Sequence, residues 1–324
     1  MLGFGPIGAA PLGSIDFEGI STNTLARTSR LLQDVVTELV CAGTLTKLPK
    51  RLHHFTTLDT AHLIITFDNL RLSHALYSND HQELEWSRSV IRDALNARMP
   101  DPFFRDVEAA YIARLSSIDA YVFCMSSDRD LTPHQDILSQ WRAYGQDGRG
   151  ACLTLDAWQL SSLVRNTPAL RINPVIYEPE VQQRLINSIL SGGMALNSTV
   201  RNAVEITVAA LIFAMPLMKA VGFSEEKEWR LIFMPPNDSV SPDLGFMARR
   251  DLLTPYVDLN YLWNKLRPEM LKVIELRGLL KDPFPDPPKL VVPLLELMVG
   301  PSGHQELNKK AFDKLLRQKG RLVH

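Results

Sequence analysis

Residues 51–83 read RLHHFTTLDTAHLIITFDNLRLSHALYSNDHQE, and the pattern changes twice within them. Two adjacent histidines, an aromatic and two threonines open the segment, so His53 and His54 fall in a short β-prone run. Residues 58–67 then read as one short amphipathic helix. Residues 69–74 return to strand, with Leu70 and Leu72 alternating against Arg71 and Ser73. The polar triplet Ser78, Asn79 and Asp80 makes a turn. The expected unit is strand, helix, strand, with His54 on the first strand.

The rest of the chain extends this reading. Residues 21–41 predict an amphipathic helix with Leu25, Leu32, Val35, Val36, Leu39 and Val40 on one face. That face either packs on the domain or meets a protein partner. Helices are expected over 82–97 and 102–115, a central strand over 120–126 and a short helix over 137–144. A strand over 148–156 and a helix over 158–164 follow. The second half predicts a strand at 173–177, then a helix at 181–190 broken by Gly192 and Gly193. The longest helix is expected at 198–220, with strands at 228–234, 256–259 and 290–299 and a final amphipathic helix at 305–319. Residues 283–288 carry four prolines and read as an extended connector. Short strands separated by helices, without a repeat, indicate an α+β fold with a mixed β-sheet core and several surrounding helices. Three parts are expected: a flexible arm at 1–20, a helix with its linker at 21–50, and a single α+β catalytic-like domain at 51–324.

Composition narrows the function classes. The 324 residues are 45% hydrophobic and 22% charged with formal net charge -1, so no global field favours nucleic acid or an anionic membrane. Three cysteines, Cys41, Cys124 and Cys152, lack CxxC spacing and suggest reduced thiols in a cytoplasmic setting. Residues 203–220 are the most apolar, but Glu205 and Lys219 interrupt them, which favours a core helix and no membrane partner. The first residues lack the basic segment of a secretory signal. Gly3, Gly5 and Gly8 spell GxGxxG without a preceding strand, and Pro6 interrupts them. No metal-ligand spacing occurs, so no metal is expected.

Chemistry concentrates in three islands: His54-Phe55-Thr56, Gln140-Trp141-Arg142-Ala143-Tyr144 with residues 148–156, and Glu225 to Arg230. A period of two sets Glu226, Glu228 and Arg230 on one strand face, with Trp229 and Leu231 on the other. An arginine beside a carboxylate favours its ionised form.

In order, residues 52–57, Leu70 to Ser73 with Asn79-Asp80, residues 140–156, Glu226 to Arg230 and Val299-Gly300-Pro301 resemble the bacterial domain-of-unknown-function family 2971. Phe55 departs from the tyrosine more usual there. The order histidine, aromatic, glutamate is also similar to the ADP-ribosyltransferase pattern. That similarity implies an NAD-consuming transferase or NAD glycohydrolase, with NAD as co-substrate and an effector or toxin among the biological settings. By the same resemblance His54 and Glu228 are the catalytic residues. His54 with Thr56 orients the ribose, Tyr144 or Trp141 stacks on the nicotinamide, and Arg142 or Arg71 holds the pyrophosphate. A fixed carboxylate would stabilise the cationic ribose that forms as the N-glycosidic bond breaks. Protein, nucleic acid, small molecule and water all suit the role of acceptor.

Two other classes stand beside this one. A nucleic-acid-directed effector such as a nuclease draws on Lys309, Lys310, Lys314, Arg317, Lys319 and Arg321. A non-catalytic binding or regulatory module would carry a degenerate site. The transferase reading requires His54 and Glu228 on neighbouring strands, facing one cleft with Trp141 or Tyr144 on its wall. A sheet that put the two side chains on opposite faces would end it.

Overall fold

The computed structural model describes residues 22–77, 82–115, 118–127, 138–165, 167, 169–235, 243–249, 252–268 and 290–321. The arm at 1–20, the turn at 78–80 and the proline connector at 283–288 lie outside the described residues. The opening unit forms as its patterns dictate: β1 (Arg51–Thr56), α2 (Leu58–Phe67) and β2 (Arg71–His74), preceded by α1 (Thr22–Cys41). The Thr57 hydroxyl caps α2 by accepting from the Thr60 N–H at 3.1 Å, and Asp68 ends it in a left-handed conformation with φ 53°. Next come α3 (Gln82–Asn96), α4 (Pro102–Arg114), β3 (Tyr121–Ser127), α5 (Leu138–Ala143), β4 (Ala151–Asp156) and α6 (Ala157–Arg165). They are followed by β5 (Leu170–Pro174), α7 (Pro179–Met194), α8 (Val200–Ala214) and β6 (Glu228–Phe233). A hairpin, β7 (Gly245–Arg249) and β8 (Leu252–Asp258), precedes β9 (Leu294–Val299) and the C-terminal helix Gln305–Gln318.

The sheet branches at β3. Ser126 pairs with both His53 and Glu228, and Val122 with both Ser73 and Ile232. One edge of β3 is therefore taken by β6 along its length, while β2 and β1 share the other edge at opposite ends. Two arms leave that shared edge, β2–β8–β7 and β1–β4–β9, and β5 continues outward from β6. The α+β architecture is as expected. All pairings between these strands are antiparallel, and the parallel component is an isolated bridge between Ile176 and Met218.

Burial explains the departures from the sequence reading. Gly192 and Gly193 do not break α7, because they are packing contacts. A Cβ on Gly193 would lie 1.9 Å from the Thr207 Oγ1 of α8, and one on Gly192 2.6 Å from Leu31 of α1. Helix α1 packs on both α7 and α8 with Leu32, Val35, Val36 and Leu39 buried, so this part of its apolar face packs on the domain. Helix α8 stops at Ala214, since Pro216 turns the chain into a 3-10 segment, Met215–Leu217, leaving α1 as the longest helix. Val200–Leu217 is long and apolar enough to cross a bilayer by composition, and 78% of it is buried inside the fold. Strand β5 ends at Pro174 instead of spanning 173–177, and β7 escaped the reading altogether.

Candidate functional site

Paired residues in an antiparallel sheet point to one face, so the register fixes which side chains meet. One row runs Thr154, His53, Ser126, Glu228 across β4, β1, β3 and β6. The next has Cys124, Arg230 and Asn173, and a third Tyr256, Ser73, Val122, Ile232 and Arg171. By alternation these rows share a face, which is largely polar, whereas Leu52, Phe123, Met125, Trp229 and Leu231 fill the opposite, apolar one. Cys124 is exposed although it lies on a central strand. It sits where β2 and β1 have parted and β3 keeps only β6 beside it, so the polar face is accessible there.

The charges are concentrated around Glu228. Its carboxylate takes both arms of the Arg230 guanidinium, Nε to Oε1 at 2.8 Å and Nη2 to Oε2 at 2.9 Å, with the Lys219 ammonium 3.4 Å from Oε2. Lys219 also donates to Glu226 Oε2 at 2.6 Å, and the Tyr144 hydroxyl donates to Glu226 Oε1 at 3.3 Å. The Glu228 N–H donates to the Tyr177 hydroxyl at 3.0 Å, and Arg230 Nη1 to the Pro216 carbonyl at 2.8 Å. Buried Gln182 of α7 fixes the segment carrying Lys219, donating to the Ile176 and Lys219 carbonyls at 2.7 and 2.8 Å. Burial alone would raise the Glu228 pKa, but Arg230, followed by Lys219, outweighs it and holds the carboxyl down to about 2. Burial pushes the Tyr144 and Tyr177 hydroxyls well above the usual phenol range, and the neighbouring carboxylates add to the shift.

The expected His54–Glu228 pair is not assembled. Their strands are separated by β3, and alternation along β1 gives the glutamate face to His53, so His54 belongs to the opposite face. The imidazole of His54 instead meets β3. Its Nδ1 lies 2.8 Å from the Cys124 carbonyl, which can only accept, so Nδ1 carries the hydrogen; the ring centroid is 4.2 Å from that of Phe123. Thr56 is buried and shares the His54 side of β1. Trp141 is a core residue, 3% exposed and edge-on to Phe55 at 5.2 Å, with Cys152 completing the cluster, so it is not available to stack on a ligand. Arg142 is exposed on α5.

Two of the expected residues do share the polar face. Tyr144 lies against the Glu226 carboxylate and is 37% exposed. Arg71 stacks over Tyr256 at 4.6 Å from the ring centroid and pairs with Asp258 at 3.6 Å. The sequence reading missed His53, Ser126, Cys124, Lys219 and Tyr177. Alternation identifies one histidine of the His53–His54 pair with the glutamate face but not which one; that depends on the register with β3. Lys219 has no local signal, because it reaches Glu228 only through the return of the chain after α8. Among the described residues no cluster of histidine, cysteine, aspartate and glutamate could hold a metal ion.

The arrangement limits the chemistry. A carboxylate whose two oxygens are held by a guanidinium is a weak base, and its charge is already balanced before any cationic centre approaches. Half-buried Glu226 with buried Glu228, Lys219 and Arg230 makes a formally neutral set.

Residues 140–231 match the family model described as "Protein of unknown function (DUF2971)". No curated protein and no solved structure matches the chain. The matched residues run from α5 to β6 and include Trp141, Tyr144, Lys219 and Glu228, so they hold much of the polar cluster. Over these residues the match agrees with the resemblance that the motif order indicated, and it covers 140–231 alone.

Proposed function

We propose that the chain is a non-catalytic binding or regulatory module that takes a nucleotide on the polar face of its sheet, with NAD the ligand class implied by the ADP-ribosyltransferase resemblance. The observation that carries this reading is the closed Glu228–Arg230 pair. The one glutamate suited to ribosyl transfer is 6% exposed, held by two cations and set on the other face from His54. Such a group organises structure better than it stabilises a developing cation. Arg71 over Tyr256, the exposed edge of Tyr144 and the accessible floor at Cys124 offer a charge, aromatic surface and space on one face. A reducing, cytoplasmic setting suits the three free thiols.

The nucleic-acid alternative has less support. On the C-terminal helix Lys309 pairs with Glu306 and Arg317 with Asp313, both at 3.0 Å, so the basic run is a mixed-charge surface.

The test is equilibrium binding of NAD and ADP-ribose, together with chromatography for released nicotinamide, with and without cell lysate. Saturable binding that weakens in Arg71→Ala and Tyr144→Ala, without nicotinamide release, is the expected result. Release that disappears in Glu228→Gln would overturn the proposal in favour of a transferase. Failure of both ligands to bind would remove the nucleotide from it.

A further inference from the structure

A second feature lies away from the polar cluster, where the end of α2 meets the chain leaving the C-terminal helix. A pocket of about 290 Å³ is lined by Thr66, Asp68, Asn260, Asn264, Lys319 and Arg321, among others. Its polar groups divide into those already satisfied and those with capacity left. The carbonyls at the end of α2 are occupied: Thr66 O accepts from Lys319 Nζ at 2.6 Å, and Phe67 O and Asp68 O each accept from the Asn260 amide at 3.4 Å. Asp68 Oδ1 is occupied as well, by the Arg321 guanidinium and by the Val292 N–H at 2.7 Å. Arg321 and Asp68 cancel in charge. Lys319 has no carboxylate partner among the described residues, and only one of its three N–H groups is used there. The Thr66 hydroxyl is buried and has no hydrogen-bond partner among the described residues. A buried hydroxyl left unmatched is costly, so its place in a pocket wall points to a partner that comes from outside the chain.

With Arg321 and Asp68 cancelling, what remains is one uncompensated ammonium, one buried hydroxyl and the side chain of Asn264, which together supply hydrogen-bond donors and a net positive charge. We propose that this pocket binds a small anion, a phosphate or carboxylate group on a compact metabolite, with Lys319 as its counter-charge and Thr66 as a hydrogen-bond partner. This site is independent of the reading given for the sheet face.

The probes are inorganic phosphate and acetate, titrated into the full chain against sodium chloride of equal ionic strength, with melting temperature and nitrogen-edited NMR as readouts. One of the two anions should raise the melting temperature saturably and beyond chloride, and should shift the amide signals of Thr66 and Asn264. Lys319→Met should abolish that response, and Thr66→Val should weaken it several-fold. Both variants keep the apolar contacts and the overall fold, which the chloride baseline checks. Equal responses to all three salts, or an undiminished response in Lys319→Met, would overturn the proposal.

Discussion

Replacing Glu228 by Gln tests the charge cluster most directly. The substitution preserves shape and removes one charge, leaving Arg230 and Lys219 facing a neutral amide in a site where Glu228 is 6% exposed. A surface pair would lose about 1 kcal/mol or less. Here one partner of a buried pair is removed and Arg230 loses its paired carboxylate, while Lys219 keeps Glu226, which costs about 3–5 kcal/mol. The pKa gives a second route to the magnitude. The carboxyl falls from its ordinary 4.5 to about 2 in the folded chain, corresponding to about 3 kcal/mol at roughly 1.4 kcal/mol per pH unit. Because the folded value is the lower one, this stability is fully present above about pH 4.5 and is lost as the pH falls toward 2. The assay is urea unfolding of wild type and Glu228→Gln at a series of pH values from 7 downward. The stability gap between them should be a few kcal/mol at pH 7 and should close as acid is added. Adding Arg230→Met to the variant should recover part of the loss, since the stranded cation is then gone. A gap below about 1 kcal/mol at pH 7, or one that does not change with acid, would refute the buried-pair reasoning.

Trp141→Ala should destabilise the fold by about 3–5 kcal/mol, as for a buried aromatic, while leaving any ligand affinity of the remaining folded protein unchanged; urea unfolding and the binding titration separate the two effects. All three cysteines should react with a thiol reagent, Cys41 and Cys124 promptly in the native state and buried Cys152 only on unfolding, with mass spectrometry of the unreduced protein showing no disulfide.

Local physics made most of the elements legible in the chain itself. The change from period two to a helical pattern and back marked β1, α2 and β2, and the Thr57 cap and the Asp68 turn that bound α2 are local chemistry. The alternation in Glu228 to Phe233 marked β6 in the same way, and it correctly paired Glu228 with Arg230, because residues two apart on a strand share a face. Where the sequence reading failed, the deciding partner was distant. Gly192 and Gly193 look like a helix break until α1 and α8 press against them. Trp141 looks like a stacking surface until Phe55 and Cys152 enclose it.

The site itself was decided only by tertiary structure. Two neighbouring histidines differ by one position, and one position on a strand is the difference between the two faces of a sheet. Nothing local chooses between them. The choice comes from pairing His53 with Ser126 and Ser126 with Glu228, a register set across three strands by burying Leu52, Met125 and Trp229 on the other side. Lys219 likewise acquires its role from the path of the chain after α8, which brings its ammonium to both Glu226 and Glu228. The residue types available for chemistry were written in the sequence. Which of them meet was settled by long-range register and by the burial of charge, and neither is a property of any short stretch.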